Sequence, residues 1–311
     1  RTLLDKMLVD AAARAGVEIR EGFVVEEVLI EQERVVGIRG RAKDGGSATE
    51  RAQVVIGADG LRSFVAEAVR PQSYEEKPPL LVAYYAYWSG LPMAGRFETY
   101  IRERRGYAAA PTHDDLTMVI AGWPYAEFVE NKRDIEGNYL KTIGLVPAFA
   151  DRLRNARRET RLAGAAVPNY FRKPYGPGWA LVGDAGYNRD FITGQGIMDA
   201  FHDAELCTTA LDKVFSGARP FDAAMSEYQQ ARDARVKAMY EFTCQLATLE
   251  PPPPEMQHLF QAIHGNQKAM DGFARMNAGT ISPAEFLAPE SVQAILAAQD
   301  AQRRSCQPGL L

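Results

Sequence analysis

The chain has 311 residues, 46% of them hydrophobic and 24% charged, with a formal net charge of -4. That length allows two domains with cores of their own, and the slightly acidic balance excludes a general pull toward nucleic acid or an anionic membrane surface. No apolar run approaches the ~20 residues needed to span a bilayer, and no signal peptide is visible. Cys207, Cys244 and Cys306 and the four histidines are scattered, without metal-ligand spacing or a Cys-x-x-Cys pair. A disulfide framework is therefore not expected, which fits a reducing cytoplasm. The chain opens at Arg1 already inside a helical pattern, so a fragment of a longer protein is expected.

The first expected element is an amphipathic helix, because Leu4, Met7, Leu8, Ala11, Ala12 and Ala15 recur at helical spacing and Gly16 supplies a stop. Strands are expected over 17–20, 23–30 and 34–41, with a turn at Asp44, Gly45 and Gly46. Val54, Val55 and Ile56 form an apolar run suited to a strand buried on both faces, ending in Gly57-Ala58-Asp59-Gly60. A short helix over 63–69 leads to Pro71, Pro78 and Pro79, which mark a boundary. Beyond it come aromatic-rich strands over 80–88, 96–102 and 116–122, a helix near 135–145 and a strand near 161–167. Trp179-Ala180-Leu181-Val182 returns to a buried strand that runs into Gly183-Asp184. A long helix over 196–215 follows, and the rest is mostly helical, interrupted by Pro251, Pro252, Pro253 and Pro254. This order predicts one α/β domain interrupted by another: residues 1–76 and 168–220 form the first, 77–167 the inserted β-sheet domain, and 221–311 a helical C-terminal region.

Two strand ends carry the chemistry. Asp59 sits where open α/β sheets bind ligands, at the carboxyl end of a strand, among small residues that let a ligand approach the backbone. A tight turn with Asp chosen for its geometry explains that segment about as well. The second segment, Gly183-Asp184-Ala185-Gly186 followed by Gly194-Gln195-Gly196, is more specific. Its loop enters a helix whose start offers N–H groups and a positive dipole end, and Asp184 is suited to accept hydrogen bonds from sugar or ribityl hydroxyls. Ile197, Ala200, Ala204, Cys207 and Leu211 are expected to be that helix's buried stripe.

Together the run 57–63, the run 183–196 and Asp199-Ala200-Phe201-His202-Asp203-Ala204 resemble the FAD-dependent aromatic-hydroxylase (p-hydroxybenzoate hydroxylase-like) flavoprotein family over roughly the first 215 residues. The resemblance implies a Rossmann-like FAD-binding domain interrupted by a substrate domain with a mixed sheet. It places Asp59 and Gly60 near the FAD pyrophosphate and the nicotinamide path. Gly183 and Asp184 fall at the ribose, and Gly194, Gln195 and Gly196 at the flavin ring. An Arg near the position of Arg1 often reaches the FAD in that family. The implied reaction is NAD(P)H-dependent: oxygen adds to the reduced ring as a hydroperoxide, and the protein presents an electron-rich small aromatic or polyketide-like substrate to it.

Three departures stand against the family pattern. No Gly-x-Gly-x-x-Gly occurs, so the first βαβ unit is absent, roughly 40 or more residues are expected to be missing, and the fragment as given is expected to be inactive. Phe191 stands where Pro is usual, which predicts a freer loop beside the flavin ring, and Tyr187 and Asn188 replace a common His.

On the substrate side, alternation puts Tyr84 and Trp88 on one face of their strand and Tyr85 and Tyr87 on the other. With Phe191 these are the pocket candidates, although any one of them is as readily explained as sheet packing. No general base stands out. His113 is expected in an exposed turn, and the arginines of 102–105 and 152–161 on solvated faces with interleaved acids. Alternative readings are a FAD-dependent reductase or dehydrogenase acting on a carbon–carbon bond, and a flavin-fold scaffold without turnover. A halogenase ranks low, because Trp-x-Trp-x-Ile-Pro is absent.

Overall fold

A computed structural model describes residues 2–43, 45–102 and 104–305, with the side chains of 301–305 excepted. Arg1, Asp44 and Cys306, named above, lie outside the described residues. The architecture is mixed α/β with a helical C-terminal region.

Two strands far apart in sequence meet at its centre. Val55–Gly57 and Trp179–Leu181 pair in parallel, with Trp179 beside Val55, Ala180 beside Ile56 and Leu181 beside Gly57. Tyr175–Gly176 pairs antiparallel on the far side, so Val55–Gly57 forms an edge of this sheet among the described residues. Ala180 and Leu181 are fully buried because both faces are covered. On one side lie Val28 and Val35 of an antiparallel three-stranded sheet (Val24–Glu31, Arg34–Arg41, Ser47–Arg51) and Val65 of the short helix Phe64–Val69. On the other lie Cys207 and Leu211 of the helix Gly196–Phe215, backed by Met225 and Tyr228 of the helix Phe221–Ala247. No strand forms over 17–20: its residues are exposed, and no described strand pairs with it.

A six-stranded sheet runs in the order Arg157–Arg158, Leu81–Ser89, Thr117–Pro124, Arg105–Pro111, Glu98–Arg102, with Ala163–Ala165 also pairing to Leu81–Ser89. The helices Ile135–Gly144 and Pro147–Arg154 cover one face, where Tyr84, Trp88, Tyr107 and Trp123 interdigitate with Tyr139, Ile143 and Phe149. Burying each such side chain contributes roughly 2–3 kcal/mol. Arg105–Pro111 is a strand that the alternation rule misses, because Ala108, Ala109 and Ala110 present the same small side chain to both faces.

Arg232 of the long helix Phe221–Ala247 is fully buried and donates to the carbonyls of Gly186 at 3.1 Å and Arg172 at 3.0 Å, and to Tyr74 Oη at 2.8 Å. It ties the C-terminal helices to the strand pair Ser73–Lys77 and Asn169–Arg172. The prolines 251–253 are extended and Pro254 opens the next helix, Pro254–Ile263. Arginines of the basic runs, expected on solvated faces, are ion-paired: Arg104 with Glu250, Arg105 with Glu127, Arg152 with Glu98 and Arg158 with Glu136, with Arg105 and Arg158 partly buried. His113 is exposed. Among the described residues no helix is long and apolar enough to cross a membrane, and no His, Cys, Asp and Glu cluster suits a metal.

Candidate cofactor site at paired strand tips

Parallel pairing sends both strands out of the sheet in the same direction. The Val182 N–H donates to the Gly57 carbonyl at 3.0 Å, so the turns bearing Asp59 and Asp184 leave side by side. They open onto one cleft of about 490 Å3. Ala58, Gly60, Gly183 and Asp184 line its floor, Gly194, Gly196, Ile197 and Ala200 one wall, and Leu4, Asp5 and Leu8 of the first helix, Thr2–Arg14, the other. Glycines leave part of this lining without side chains: nothing lies within 4 Å of where a Cβ would stand at Gly60, Gly194 or Gly196, and Gly183 holds a left-handed φ of +57° with Ala200 3.2 Å from its Cβ position.

Each acidic residue has a definite local setting. Asp59 is exposed, and its Oδ2 accepts from the Val65 N–H at 3.2 Å at the start of the helix Phe64–Val69. The turn-geometry explanation of this residue thus holds, and its neighbours Ala58 and Gly60, rather than Asp59 itself, line the cleft. Asp184 is exposed at the tip, and its backbone carbonyl accepts from Tyr170 Oη at 2.8 Å. Behind it, buried Asp203 accepts from the Gly183 N–H at 3.1 Å and fixes that turn. Burial pushes the Asp203 carboxyl up to about 7, against Arg232 and the Gly183 N–H, which favour the ionised form.

The helix Gly196–Phe215 begins at the cleft, and no side chain caps its first N–H groups: Gln195 stands at the N-cap without a side-chain hydrogen bond to them. Its apolar stripe divides. Cys207 and Leu211 are buried, whereas Ile197 is 41% exposed, Ala204 is exposed and Ala200 half-buried, because these three line the cleft instead of packing on the sheet. Gln195 itself turns away. Its Nε2 donates to the Asn277 carbonyl at 2.7 Å and its Oε1 accepts from Arg189 at 2.7 Å, and it does not line the cleft that its neighbours Gly194 and Gly196 line.

The loop lacking Pro is pinned rather than loose. Asp190 is 1% exposed and accepts from the Ile192 N–H at 2.9 Å, and Arg189 pairs with Asp199 at 2.8 Å. Thr193 meets Thr243 at 3.1 Å, and Phe191 packs with Leu81, Ala247 and Leu249. Burial pushes Asp190 up to about 6. Arg189, Asp199 and Asp203 were missed as a unit. The only signal in sequence is a charged run beside two aspartates one helical turn apart.

The aromatic candidates separate by face. Tyr84 stacks on Trp123 at 5.5 Å and Trp88 Nε1 donates to Tyr139 Oη at 3.1 Å, both inside the helix-covered core and away from the cleft. Tyr85 and Tyr87 are half-buried on the opposite face, edge to face at 6.1 Å. That face also carries Leu81, through which it reaches Phe191.

The family model described as "FAD binding domain" matches residues 1–243. This chain belongs to that family. Among curated relatives, the FAD-binding chain is 23% identical over 303 residues to tryptophan 2-halogenase of Chondromyces crocatus, covering 90% of this chain and 58% of that protein. It is 26% identical over 245 residues to digeranylgeranylglycerophospholipid reductase of Methanocella arvoryzae, covering 77% and 60%. The chain therefore spans about six-tenths of the length of these relatives. Among solved structures it resembles the flavin-dependent brominase Bmp2 with a TM-score of 0.77 at 18% identity, over 98% of this chain and 76% of the other. It also resembles PqsL of Pseudomonas aeruginosa, described as a probable FAD-dependent monooxygenase, with a TM-score of 0.57 at 23% identity, over 73% and 63%. At these identities the structural likeness establishes the fold. The open glycine floor and the uncapped helix start fit the edge of a flavin nucleotide, which offers acceptors to N–H groups and hydroxyls to carboxylates.

Proposed function

We propose that this chain provides the strand-tip half of the FAD site of an NAD(P)H-dependent monooxygenase that hydroxylates a small aromatic or polyketide-like substrate. The observation that carries the reading is that two parallel neighbouring strands end at one cleft with an uncapped helix start, Gly183 and Asp184 lining it from one strand end and Ala58 and Gly60, on either side of Asp59, from the other. Asp184 would accept hydrogen bonds from the ribose or ribityl hydroxyls, and Asp59 and Gly60 would lie toward the pyrophosphate. The backbone of Gly183, Gly194, Gln195 and Gly196 would hold the ring edge. When bound, FAD supplies electron transfer from the nicotinamide donor to molecular oxygen. The protein's part is to orient the substrate and keep water away from the ring. Tyr85, Tyr87 and Phe191 are the residues proposed to line the substrate side, whereas Tyr84 and Trp88 hold the sheet.

The test is reconstitution of the full-length protein with FAD, followed by oxygen uptake measured against nicotinamide oxidation. Coupled uptake in the presence of an aromatic substrate supports the monooxygenase. Nicotinamide oxidation with no oxygen uptake but reduction of an added alkene supports the reductase reading, which is favoured by the match to lipid reductases. Halide-dependent product would move the halogenase reading up from its low rank, in line with the brominase likeness and despite the missing Trp-x-Trp-x-Ile-Pro. A protein that takes up no flavin would leave the scaffold.

A further inference from the structure

Two opposite charges pair behind the helix start, Arg189 buried and Asp199 half-buried. Arg189 is 8% exposed, and its Nη2 donates both to Asp199 Oδ2 at 2.8 Å and to Gln195 Oε1 at 2.7 Å. Its Nη1 is buried without a hydrogen-bond partner. Asp199 lies in the first turn of the helix Gly196–Phe215, whose opening residues Gly196 and Ile197 line the cleft.

A carboxylate in a first helical turn favours the helix but offsets the positive end that the helix presents to a ligand. In the low dielectric of the interior this opposition is strong. A guanidinium does not lose its proton in proteins, so Arg189 is a permanent counter-charge to Asp199. We propose that Arg189 cancels the Asp199 carboxylate at the helix start, so that the pair presents no net charge there and the site keeps the preference for reduced, anionic flavin over oxidised flavin that the uncapped helix start gives it. Arg189 is then a positioning residue that acts through Asp199, and Gln195 links the pair to the C-terminal helices through the Asn277 carbonyl. This inference deepens the flavin reading and rests on it.

The experiment measures the midpoint potential of bound FAD in the full-length protein, together with the dissociation constants of oxidised and reduced flavin. Asp199→Asn keeps the shape and the acceptor but leaves the Arg189 charge uncompensated. It is expected to shift the potential to a more positive value and to change the reduced-to-oxidised affinity ratio by about three-fold or more. Asp199→Glu keeps the charge and is expected to leave the potential near that of the parent. The double variant Arg189→Met with Asp199→Asn removes both charges and is expected to return the potential to the parent value, which a purely structural role would not do. An unchanged potential in Asp199→Asn with flavin bound overturns the inference, as does an equal shift in Asp199→Glu. Should one of these variants fail to fold in thermal unfolding, the others still decide the question. Failure of the parent protein to bind FAD overturns the flavin reading itself, and this inference with it.

Discussion

The cleft at the strand tips and the helix-covered face of the six-stranded sheet both rest on strands of buried residues, but they use them in opposite ways. Behind the sheet, Tyr84, Trp88, Trp123, Tyr139 and Phe149 fill all the space between two layers. At the tips the residues shrink to glycine and alanine, two carboxylates stand exposed, and a helix start is left uncapped. The core is held by dispersion and dehydration, and its polar atoms are few. Trp88 Nε1 finds Tyr139 Oη, which in turn donates to the Val119 carbonyl at 2.9 Å. The cleft is held open from behind, by buried charged groups one layer back: Asp203 on Gly183, Arg232 on Gly186, Arg189 on Asp199. A fold makes a site by withholding side-chain volume where strands end and moving the polar scaffolding one layer deeper.

Substitutions on the two sides should therefore fail differently. Trp123→Ala empties a fully buried position and is expected to cost about 3–5 kcal/mol in urea unfolding, with flavin affinity unchanged in whatever fraction stays folded. Next in size is the pH response of Asp203. Its folded pKa, about 7, lies above the unfolded value, so its stabilising contribution is complete below pH ~4 and is lost as pH rises through about 7. Asp203→Asn should remove about 3 kcal/mol of the stability difference between pH 4.5 and pH 8. The slope will not vanish, because Asp190, raised to about 6, contributes with the same sign. Equal slopes in variant and parent would show that Asp203 is not the group responsible.

Asp184→Ala is expected to weaken FAD binding about ten-fold, the scale of a hydrogen bond to a charged group. Asp59→Ala should weaken it similarly but also lower stability by about 1 kcal/mol, because it removes the acceptor for the Val65 N–H. Flavin titration and thermal melts on the same preparations separate the two effects. The smallest effect is expected at Tyr87: Tyr87→Ala should cost less than about 1 kcal/mol, against about 3 kcal/mol for Tyr84→Ala on the packed face. Equal losses at the two positions would mean that the open face of the strand is packed after all.

Much of this was legible in the residues. The bounds of the helix Gly196–Phe215 follow from its stripe and its flanking glycines, and the split of Tyr84 and Trp88 from Tyr85 and Tyr87 follows from the period of two. The segments that were not legible share a cause. Arg105–Pro111 and the paired strands Ser73–Lys77 and Asn169–Arg172 carry weak alternation and exist because a neighbour offers them hydrogen bonds. Residues 17–20 show the converse, an alternating run that has no described partner and does not become a strand.

For the site, the sequence by itself determined which residue types end the two strands and which helix follows them, because glycine, aspartate and a helical stripe are local signals. Tertiary structure decided that the two ends lie side by side, since parallel pairing is a contact between distant segments that no local pattern encodes. It also decided that Gln195 turns away from the cleft and that Arg189 stands against Asp199. A buried polar or charged group takes its meaning from the partner that folding brings to it, and for both residues that partner lies outside the reach of local pattern.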